Sequence, residues 1–315
     1  MEIVFLDAFT TNPDGNVFWR DFEKLGRLTL FDRTQPNEIV ERSKNAMIIL
    51  TNKVALNESI LSALPNLKFI CVMATGFNIV DVIAAKKLGI LVANIPSYSS
   101  DSVAQHTWAL LLELTNQIGK FNDSVRETWP KSLDFCYNHS VIFDLSDKTI
   151  GLIGLGDIGI KVAKIAEVFG MKVIATSNSM VSKDGIRMVD LDNLLERSDV
   201  ISLHCPLNSA TKDIISESNI TKMKASVLII NTARGGLVNE KAVQDALLSK
   251  LIGGFATDVL RVEPPLTENY ILNSNAIITP HIAWGSSDSR RKLLKIALSN
   301  IQNFIKNTPI NIVNN

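Results

Sequence analysis

The sequence has no excess of charge of either sign, because 32 Lys and Arg residues balance 32 Asp and Glu residues. A chain without a basic surplus has no electrostatic reason to bind nucleic acid or an anionic membrane surface, so we expect neither partner. No apolar run approaches the roughly 18–20 residues that a membrane-spanning helix needs. The first seven residues read as a core strand and not as a targeting segment.

Cysteine is also scarce. The three cysteines, Cys71, Cys136 and Cys205, have no metal-ligand spacing, so the sequence predicts no metal site. Cys71 and Cys205 lie in apolar, strand-like runs, which is typical of buried thiols in a reducing compartment. The sequence therefore predicts a cytoplasmic protein.

The chain of 315 residues, 46% of them hydrophobic, is long enough for two domains with substantial cores. Strand-like and helix-like segments alternate through the first hundred residues, including a helix predicted at Phe18–Leu25, and this alternation favours a parallel sheet. A long final helix, Ser287–Lys306, is expected to return to the first half. We therefore predict one domain over 1–100 and 288–315 and a second over 101–287.

Three further elements are predicted between these halves and within the second domain. A long buried helix should run from Ser102 to Gln117, capped by Ser100 or Asp101. Residues Phe121–Leu145 look irregular and are rich in aromatic residues, so we expect this arm to pack on another surface, such as a second subunit, which predicts a homodimer. Another helix is predicted at Lys212–Ile220.

The second domain opens on a glycine motif. The segment Thr149–Gly159 reads TIGLIGLGDIG, an apolar strand followed by a turn and a helix. Gly154, Gly156 and Gly159 form G-x-G-x-x-G, which permits a tight turn, close approach to a pyrophosphate and close helix packing. The helix N-terminus then favours an anion. Because a strand precedes the motif and a strand follows its helix, we predict dinucleotide binding, although glycine turns alone are common.

Polar residues that can carry chemistry follow several later strands. Arg234 follows one strand, Asp258 and Glu263 follow the next, and His281 follows the last. Taken singly, Arg, Glu and His have ordinary explanations as a surface charge, a loop carboxylate and an isolated imidazole. In parallel α/β sheets, however, ligands gather at the carboxyl ends of strands. A bidentate Arg, a His that exchanges a proton and a carboxylate beside that His are what reduction of a 2-keto acid requires.

The segments around these residues resemble those of the D-isomer-specific 2-hydroxyacid dehydrogenases. The motifs that carry the resemblance are VLIINTARGGLVNE (Val227–Glu240), DVLRVEPP (Asp258–Pro265), ITPHIAW (Ile278–Trp284) and ATGFNIVD (Ala74–Asp81). Further motifs resemble the glycerate dehydrogenase or hydroxypyruvate reductase branch: DSVAQHTWALLLE (Asp101–Glu113), DFCY (Asp134–Tyr137) and SLHCPL (Ser202–Leu207). The resemblance implies an α/β fold of two Rossmann-like domains with parallel sheets, the substrate domain being discontinuous.

The resemblance also implies roles for individual residues. Arg234, Glu263 and His281 match the catalytic residues, and Arg234, His281, Thr75 and Gly76 match the substrate-binding residues. The resemblance further implies NAD(H) as the cofactor, with NADP(H) possible. The implied cofactor-binding residues are Gly154, Gly156, Asp157, Ile158, Gly159, Ser177, Cys205, Pro206, Thr211, Thr232, Ala233, Arg234 and Asp258. Asp258 would bind the nicotinamide carboxamide.

One position departs from the usual pattern. The second strand of a dinucleotide-binding unit normally ends in an acid that binds the adenine ribose of NAD. Counting from Gly159, that place is occupied by Ser177. No carboxylate there repels a 2′-phosphate and no arginine binds one, so we predict weak discrimination between the two cofactors, with NAD slightly preferred on family grounds.

Smaller hypotheses concern the remaining candidates. His106 is interpreted as structural, Arg261 as solvated and not catalytic, and His139 as a surface residue. For His204 and Trp284, the sequence leaves two alternatives open: a place in the lining of the site, or a place outside it. The expected reaction is hydride transfer between a nicotinamide and C2 of hydroxypyruvate or D-glycerate, bound in a cleft between the domains. The alternatives are a glyoxylate or other short 2-keto acid reductase, and a non-catalytic NAD(H)-sensing binding protein.

Overall fold

The computed structural model describes residues 1–12, 19–138 and 140–314. These residues form two compact units, one of Met1–Ser99 with Gly285–Asn315 and one of Ser100–Trp284. Phe18, at the predicted start of the first helix, and His139 lie outside the described residues.

The first unit contains a five-stranded sheet in which every neighbouring pair is parallel. Its strands are β1 (Glu2–Phe5), β2 (Arg27–Leu30), β3 (Ile48–Thr51), β4 (Phe69–Val72) and β5 (Leu91–Ala93), in the order β2-β1-β3-β4-β5. Strands β3 and β4 are fully buried, as expected for short apolar runs covered on both faces.

Short helices connect these strands: α1 (Arg20–Glu23), α2 (Ile39–Ser43), α3 (Glu58–Ser62) and α4 (Val82–Lys87). The ends of two of them follow from the local sequence. Asn57 and Asp81 cap α3 and α4 by accepting hydrogen bonds from Ile60 N (3.0 Å) and Ala84 N (2.9 Å). Gly89, with a φ of 70°, follows the end of α4 in the left-handed conformation that glycine adopts without strain.

The second unit contains a seven-stranded parallel sheet. Its strands are β6 (Thr149–Ile153), β7 (Lys172–Thr176), β8 (Arg187–Met188), β9 (Val200–Leu203), β10 (Leu228–Asn231), β11 (Gly254–Thr257) and β12 (Ile277–Ile278). The order β12-β11-β10-β9-β6-β7-β8 reverses between β6 and β9, which creates the strand-end crevice of a doubly wound fold. The two parallel sheets confirm the predicted α/β class of Rossmann-like domains.

Helices α5 (Ser100–Asn116), α7 (Asp157–Val168), α8 (Leu191–Arg197) and α10 (Glu240–Leu248) pack on the two faces of this second sheet, and the unit also contains α6 (Ile118–Thr128) and α9 (Glu217–Ile220). On one face, Trp108 of α5 and Val162 of α7 join a buried apolar cluster, and Trp108 stacks on Phe169 with ring centroids 4.8 Å apart. On the other face, Leu194 of α8 and Val243 of α10 join a second cluster.

The chain ends in the first unit. Helix α11 (Ser287–Ile305) places Phe304 against Phe69 of β4, with ring centroids 4.6 Å apart. Beyond the helix, Asn314 accepts a hydrogen bond from Val92 N and donates one to Ile90 O, both at 2.8 Å. Residues more than two hundred positions apart in sequence therefore close the edge of one sheet.

Three predicted elements are wrong in part. Helix α5 begins at Ser100 and not at Ser102, because the chain turns at Ser97, whose φ is 51°, so Ser100 and Asp101 are helical residues and not caps. Part of the arm predicted to be irregular is helix α6, which restarts after Gln117 adopts a φ of 51°. The predicted helix at 212–220 is reduced to α9, because Asp213 is left-handed and Ile215 forms a bridge with Val238.

Within the described part of the chain, no helix is both long and apolar enough to span a membrane. The same residues contain no cluster of three or more His, Cys, Asp or Glu side chains arranged to hold a metal ion.

Candidate active site

The glycine turn follows β6 and is closely packed at two of its three glycines. Gly154 has a φ of 105°, and its N–H donates to Thr176 O at 2.8 Å. A Cβ at Gly154 would lie 2.5 Å from the carbonyl carbon of His204, and one at Gly159 would lie 2.4 Å from Gly154 O. Both positions therefore require glycine for the turn and for helix packing, as the motif predicts.

Gly156 differs from the other two glycines, because a Cβ built on it would meet no heavy atom within 4 Å. It is the N-cap residue of α7 and, as glycine, has no side chain that could cap the helix. Open space in front of an uncapped helix N-terminus suits a pyrophosphate. Asp157 is exposed at the first position of the helix, whereas Ile158 packs partly against the core.

A cavity of 520 Å³ lies beside this turn, at the carboxyl ends of the strands. Among the predicted cofactor residues, those that line it are Gly154, Gly156, Ser177, Cys205, Pro206 and Thr211. Thr211 is held in place by a 2.6 Å hydrogen bond from its Oγ1 to Pro206 O. Burial raises the pKa of the Cys205 thiol to about 11, so this thiol stays neutral at neutral pH. The residues present thus fit the adenosine and pyrophosphate parts of a dinucleotide.

The lining of this cavity bears on cofactor choice. The residues at the end of β7 that line it are Thr176, Ser177, Asn178 and Ser179. The described residues of the lining carry no formal charge at neutral pH. His204 is among them, and its imidazole is neutral there because burial lowers its pKa to about 4. The cavity therefore presents neither a carboxylate that would repel a 2′-phosphate nor a cation that would bind one.

His204 is one of the residues that line the cavity, so of the two alternatives for this residue the structure favours a place in the lining. Its Nε2 lies 2.9 Å from Ser202 Oγ. Burial lowers the pKa of His204 to about 4, although part of the residue is open to the cavity. The imidazole is therefore neutral near pH 7 and contributes no charge to the site.

The predicted acid–base pair is formed. His281 Nδ1 lies 2.5 Å from Glu263 Oε2, and the other carboxylate oxygen of Glu263 accepts from Leu260 N at 2.9 Å. A carboxylate on Nδ1 makes that nitrogen the donor, so Nε2 is the ring nitrogen that can exchange a proton with a ligand. His281 has a φ of 54°, and its N–H donates to Asp258 O at 2.8 Å.

Asp258 is almost completely buried, with 2% of its surface exposed. Its carboxylate accepts hydrogen bonds from Thr279 Oγ1 (2.6 Å), Ile282 N (2.9 Å) and Ala283 N (2.9 Å). These contacts hold the segment that carries His281. The predicted contact of Asp258 with a nicotinamide carboxamide stays a prediction.

The turn that presents Arg234 is organised by a residue that sequence reasoning did not select. Asn231 is fully buried at the end of β10, where it accepts from Ala233 N (3.0 Å) and donates to Arg234 O (2.9 Å). The Arg234 side chain is exposed, and its Nη1 donates to Ala233 O at 2.7 Å. Thr232 is buried and bonds Thr107 of α5 through their hydroxyl oxygens at 2.9 Å.

Gly235 is a second residue that was not selected. A Cβ there would lie 2.0 Å from the carbonyl carbon of Leu260, so only glycine allows the two loops to touch. The loop of Arg234 is thereby pressed against the loop that leads to Glu263. The pair of glycines in NTARGG was the available signal, because close backbone approach is a common reason for glycine.

The remaining candidates are distributed as follows. Thr75 and Gly76 lie in the first unit, in the loop after β4, where Thr75 Oγ1 donates to Ile95 O at 2.9 Å. Their contact with a substrate carboxylate stays a prediction, as does the position of Trp284 at the substrate. Arg261 is exposed, as expected for a solvated side chain, and its guanidinium pairs with Asp213 and donates to Val238 O at 2.7 Å.

Comparison with known proteins supports the same interpretation. The family described as "D-isomer specific 2-hydroxyacid dehydrogenase, NAD binding domain" matches residues 108–283. A hydroxypyruvate reductase of Blautia hydrogenotrophica is 42% identical over 100% of both chains. A glycerate dehydrogenase of Methylorubrum extorquens is 43% identical over 99% of this chain and 98% of its own.

A solved structure extends the comparison to three dimensions. An acyclic imino acid reductase in complex with NADPH and D-Arg superposes with a TM-score of 0.89 at 31% identity, over 99% of this chain and 100% of its own. Together these matches confirm the predicted family and NAD(H) as the cofactor, with NADP(H) possible. The chain belongs to the D-isomer specific 2-hydroxyacid dehydrogenase family and is an NAD-dependent dehydrogenase.

Proposed function

We propose that the protein interconverts hydroxypyruvate and D-glycerate with a nicotinamide cofactor. The observation that carries the proposal is the Glu263–His281 pair, 2.5 Å apart at the strand ends of the dinucleotide-binding unit. The full-length similarity to a hydroxypyruvate reductase and a glycerate dehydrogenase supports this choice of substrate. NADH, when bound, supplies the hydride that reduces C2.

The side chains account for the rest of the reaction. The Arg234 guanidinium binds the substrate carboxylate or carbonyl oxygen through charge-assisted hydrogen bonds. His281 Nε2 donates a proton to the carbonyl oxygen as negative charge develops there, and takes it back in the oxidation. Glu263 holds Nδ1 and stabilises the imidazolium. The proposal retains substrate-carboxylate binding by the backbone of Thr75 and Gly76.

The direct test is His281→Ala, assayed with hydroxypyruvate and NADH. Because general acid catalysis contributes about 10²–10⁴-fold, we expect kcat to fall by that factor. Ile282→Ala is the matched control, since this neighbouring side chain is exposed and has no part in the proposed reaction. A His281→Ala enzyme whose kcat stays within a few fold of wild type would contradict the proposal.

A substrate panel separates the alternatives. We expect the highest kcat/KM with hydroxypyruvate, whereas a higher value with glyoxylate would move the assignment to a short 2-keto acid reductase. If no 2-keto acid is turned over while NADH still binds, the NAD(H)-sensing binding protein becomes the better interpretation.

We further propose that the enzyme discriminates weakly between NAD(H) and NADP(H). The uncharged lining at Ser177 supports this. We expect kcat/KM for NADH to exceed that for NADPH by less than about a hundredfold, roughly 2.7 kcal/mol. Ser177→Asp should raise the preference for NADH. Ser177→Asn introduces a side chain of the same size as Asp without its charge and should leave the preference unchanged. A larger preference in the wild type would refute weak discrimination.

We propose a homodimer formed through the arm that follows α6. Six large apolar side chains of the described part of the arm are exposed in the single chain, Leu133 at 102% and Phe135 at 90% among them, with Trp129, Val141, Ile142 and Phe143. Such apolar exposure is typical of an interaction surface. Leu133→Asp with Phe135→Asp should give a monomer in analytical ultracentrifugation, whereas a wild type that sediments as a monomer would refute the dimer.

We also propose a cytoplasmic location. All three cysteines are unpaired, and Cys136 is exposed, which suits a reducing compartment. Fractionation of the source cells with an antibody against the protein tests this.

A further inference from the structure

We propose that His106, on α5, is a positioning residue that holds His281 in its reactive conformation through Thr279 and Asp258. The inference rests on the proposed function, because it assigns His106 to the proton-transfer step of His281. No substrate contact is assigned to His106 itself.

The direction of the hydrogen bonds between these residues follows from their chemistry. Thr279 Oγ1 lies 2.6 Å from Asp258 Oδ1 and 2.9 Å from His106 Nε2. A carboxylate only accepts, so the Thr279 hydroxyl must donate to Asp258. The hydroxyl oxygen then accepts from His106, which makes Nε2–H the donor. Because this nitrogen also carries a proton in the imidazolium, the chain of bonds exists in either charge state.

Asp258 passes this constraint to the segment of His281. The Asp258 carboxylate accepts from Ile282 N and Ala283 N, each at 2.9 Å, and its main-chain oxygen accepts from His281 N at 2.8 Å. Three consecutive N–H groups therefore bind one buried residue. His281 needs this support because its φ of 54° is a conformation that costs a non-glycine residue free energy.

Helix α5 contacts the same segment at a second point. Ser102 Oγ donates to Ala283 O at 2.6 Å, and Ser102 lies four residues before His106, on the same face of the helix. One residue beyond His106, Thr107 bonds Thr232 in the turn that carries Arg234. Ser102, His106 and Thr107 of α5 thus form hydrogen bonds with the two loops that carry His281 and Arg234.

His106 sits between solvent and this buried network. Its side chain retains 20% of its exposure, whereas that of Asp258 retains 1%, and Nε2 lies 3.6 Å from Asp258 Oδ1. Substitution of His106 would remove the N–H group that donates to the Thr279 hydroxyl. We infer that the His281 segment would then sample more conformations, and Glu263 would hold the imidazole less firmly.

The experiment compares His106→Leu, which removes the donor, with His106→Gln, whose amide nitrogen can take the place of Nε2. We expect His106→Leu to lower kcat for hydroxypyruvate reduction about 10–100-fold, with the KM for NADH and the Kd of NADH changed by less than about threefold. His106→Gln should retain kcat within about threefold. The pH profile of kcat for His106→Leu should also move to lower pH, because a loosened Glu263 stabilises the imidazolium less.

A second pair of variants keeps the test valid if His106→Leu does not fold. Thr279→Val removes the hydroxyl at constant size and should lower kcat as His106→Leu does, whereas Thr279→Ser should retain it. The double variant His106→Leu with Thr279→Val should lose no more than either single variant, because both interrupt one chain of bonds.

The outcomes separate this inference from the proposed function. An active wild type with a His106→Leu variant within threefold in kcat, or with equal losses in the Leu and Gln variants, would overturn only the role of His106. A wild type that reduces none of the 2-keto acids would overturn the proposed function and this inference with it.

Discussion

The two units close the carboxyl ends of their parallel sheets in different ways. In the first unit, the Asp7 side chain follows β1 and is buried, with 5% of its surface exposed. It accepts hydrogen bonds from the N–H groups of Asn52 (2.8 Å), Lys53 (2.5 Å) and Val54 (3.2 Å), which follow β3. The strand ends are thus occupied by the protein's own carboxylate.

In the second unit, the first strand of the nucleotide motif is followed by Gly154 and Gly156 instead of an acid. The N-terminus of α7 receives no side-chain cap, and a 520 Å³ cavity lies beside it. The ends of β1 and β3 are thus closed by a side chain of the protein itself, whereas the end of β6 leaves open space in front of Gly156. The residues at the strand ends decide this difference, because both sheets have parallel topology.

The largest effect should come from the contact between the loop that carries Arg234 and the loop that leads to Glu263. Gly235→Ala would place a Cβ 2.0 Å from the Leu260 carbonyl carbon, so the backbone must move. We expect a loss in kcat/KM of about a hundredfold or more, together with a destabilisation of about 3 kcal/mol. Gly236→Ala is the control, because its Cβ would meet only the flexible end of the Leu207 side chain. Equal behaviour of the two variants would show that the loop contact does not matter.

The next effect separates the glycines that the fold needs from the one that a ligand needs. Gly154→Ala should destabilise the protein by about 3 kcal/mol in urea unfolding, because of its φ of 105° and its contact with His204. Gly156→Ala should change the free energy of unfolding by less than about 1 kcal/mol and yet weaken NADH binding at least tenfold, because its Cβ would enter the open space. Unchanged NADH affinity in Gly156→Ala would contradict the pyrophosphate site.

A comparable effect depends on pH. The pKa of His204 is about 4 in the folded protein and about 6.5 in an unfolded chain. As the pH falls, the unfolded state therefore takes up a proton on His204 at a higher pH than the folded state does. The stability that the neutral imidazole provides is therefore present above pH 6.5 and is lost as the pH falls to 4, by about 3 kcal/mol. Urea unfolding of wild type and His204→Asn at pH 7 and pH 4 measures the difference. Parallel pH dependences would show that His204 is not shielded from water.

The smallest effect concerns the first unit. Asp7→Asn replaces a carboxylate that accepts from three N–H groups with an amide that has one oxygen, and we expect a loss of about 1–2 kcal/mol with unchanged NADH affinity. Asp21→Asn, at an exposed ion pair with Lys24, should cost less than about 0.5 kcal/mol. A drop in NADH affinity in Asp7→Asn would mean that the strand ends of the first unit do more than support their own loops.

Local patterns in the sequence determined much of this protein. Helix α11 was predicted to within one residue of its observed bounds, because the segment Ser287–Ile305 contains no Gly or Pro, whereas Gly285 precedes it and Pro309 follows it. The glycine motif and the segments around Arg234, Glu263 and His281 were enough to predict the family, the cofactor and the contact of Glu263 with His281, whose atoms lie 2.5 Å apart.

Only the tertiary structure decided how these residues are held. Asp258 reads as a ligand-binding acid in the sequence, yet its carboxylate is engaged by residues 21 to 25 positions away, and His106 reaches Thr279 across 173 positions. Helix α6 escaped prediction although Ile118, Phe121 and Val125 recur at helical spacing, because the arm was read from its aromatic content as irregular and none of the helix residues joins a core. Hydrogen bonds between distant segments have no periodic signature. The pairing of Glu263 with His281 could therefore be predicted from the chain, whereas the support of these side chains depends on which loops the folded sheets bring into contact.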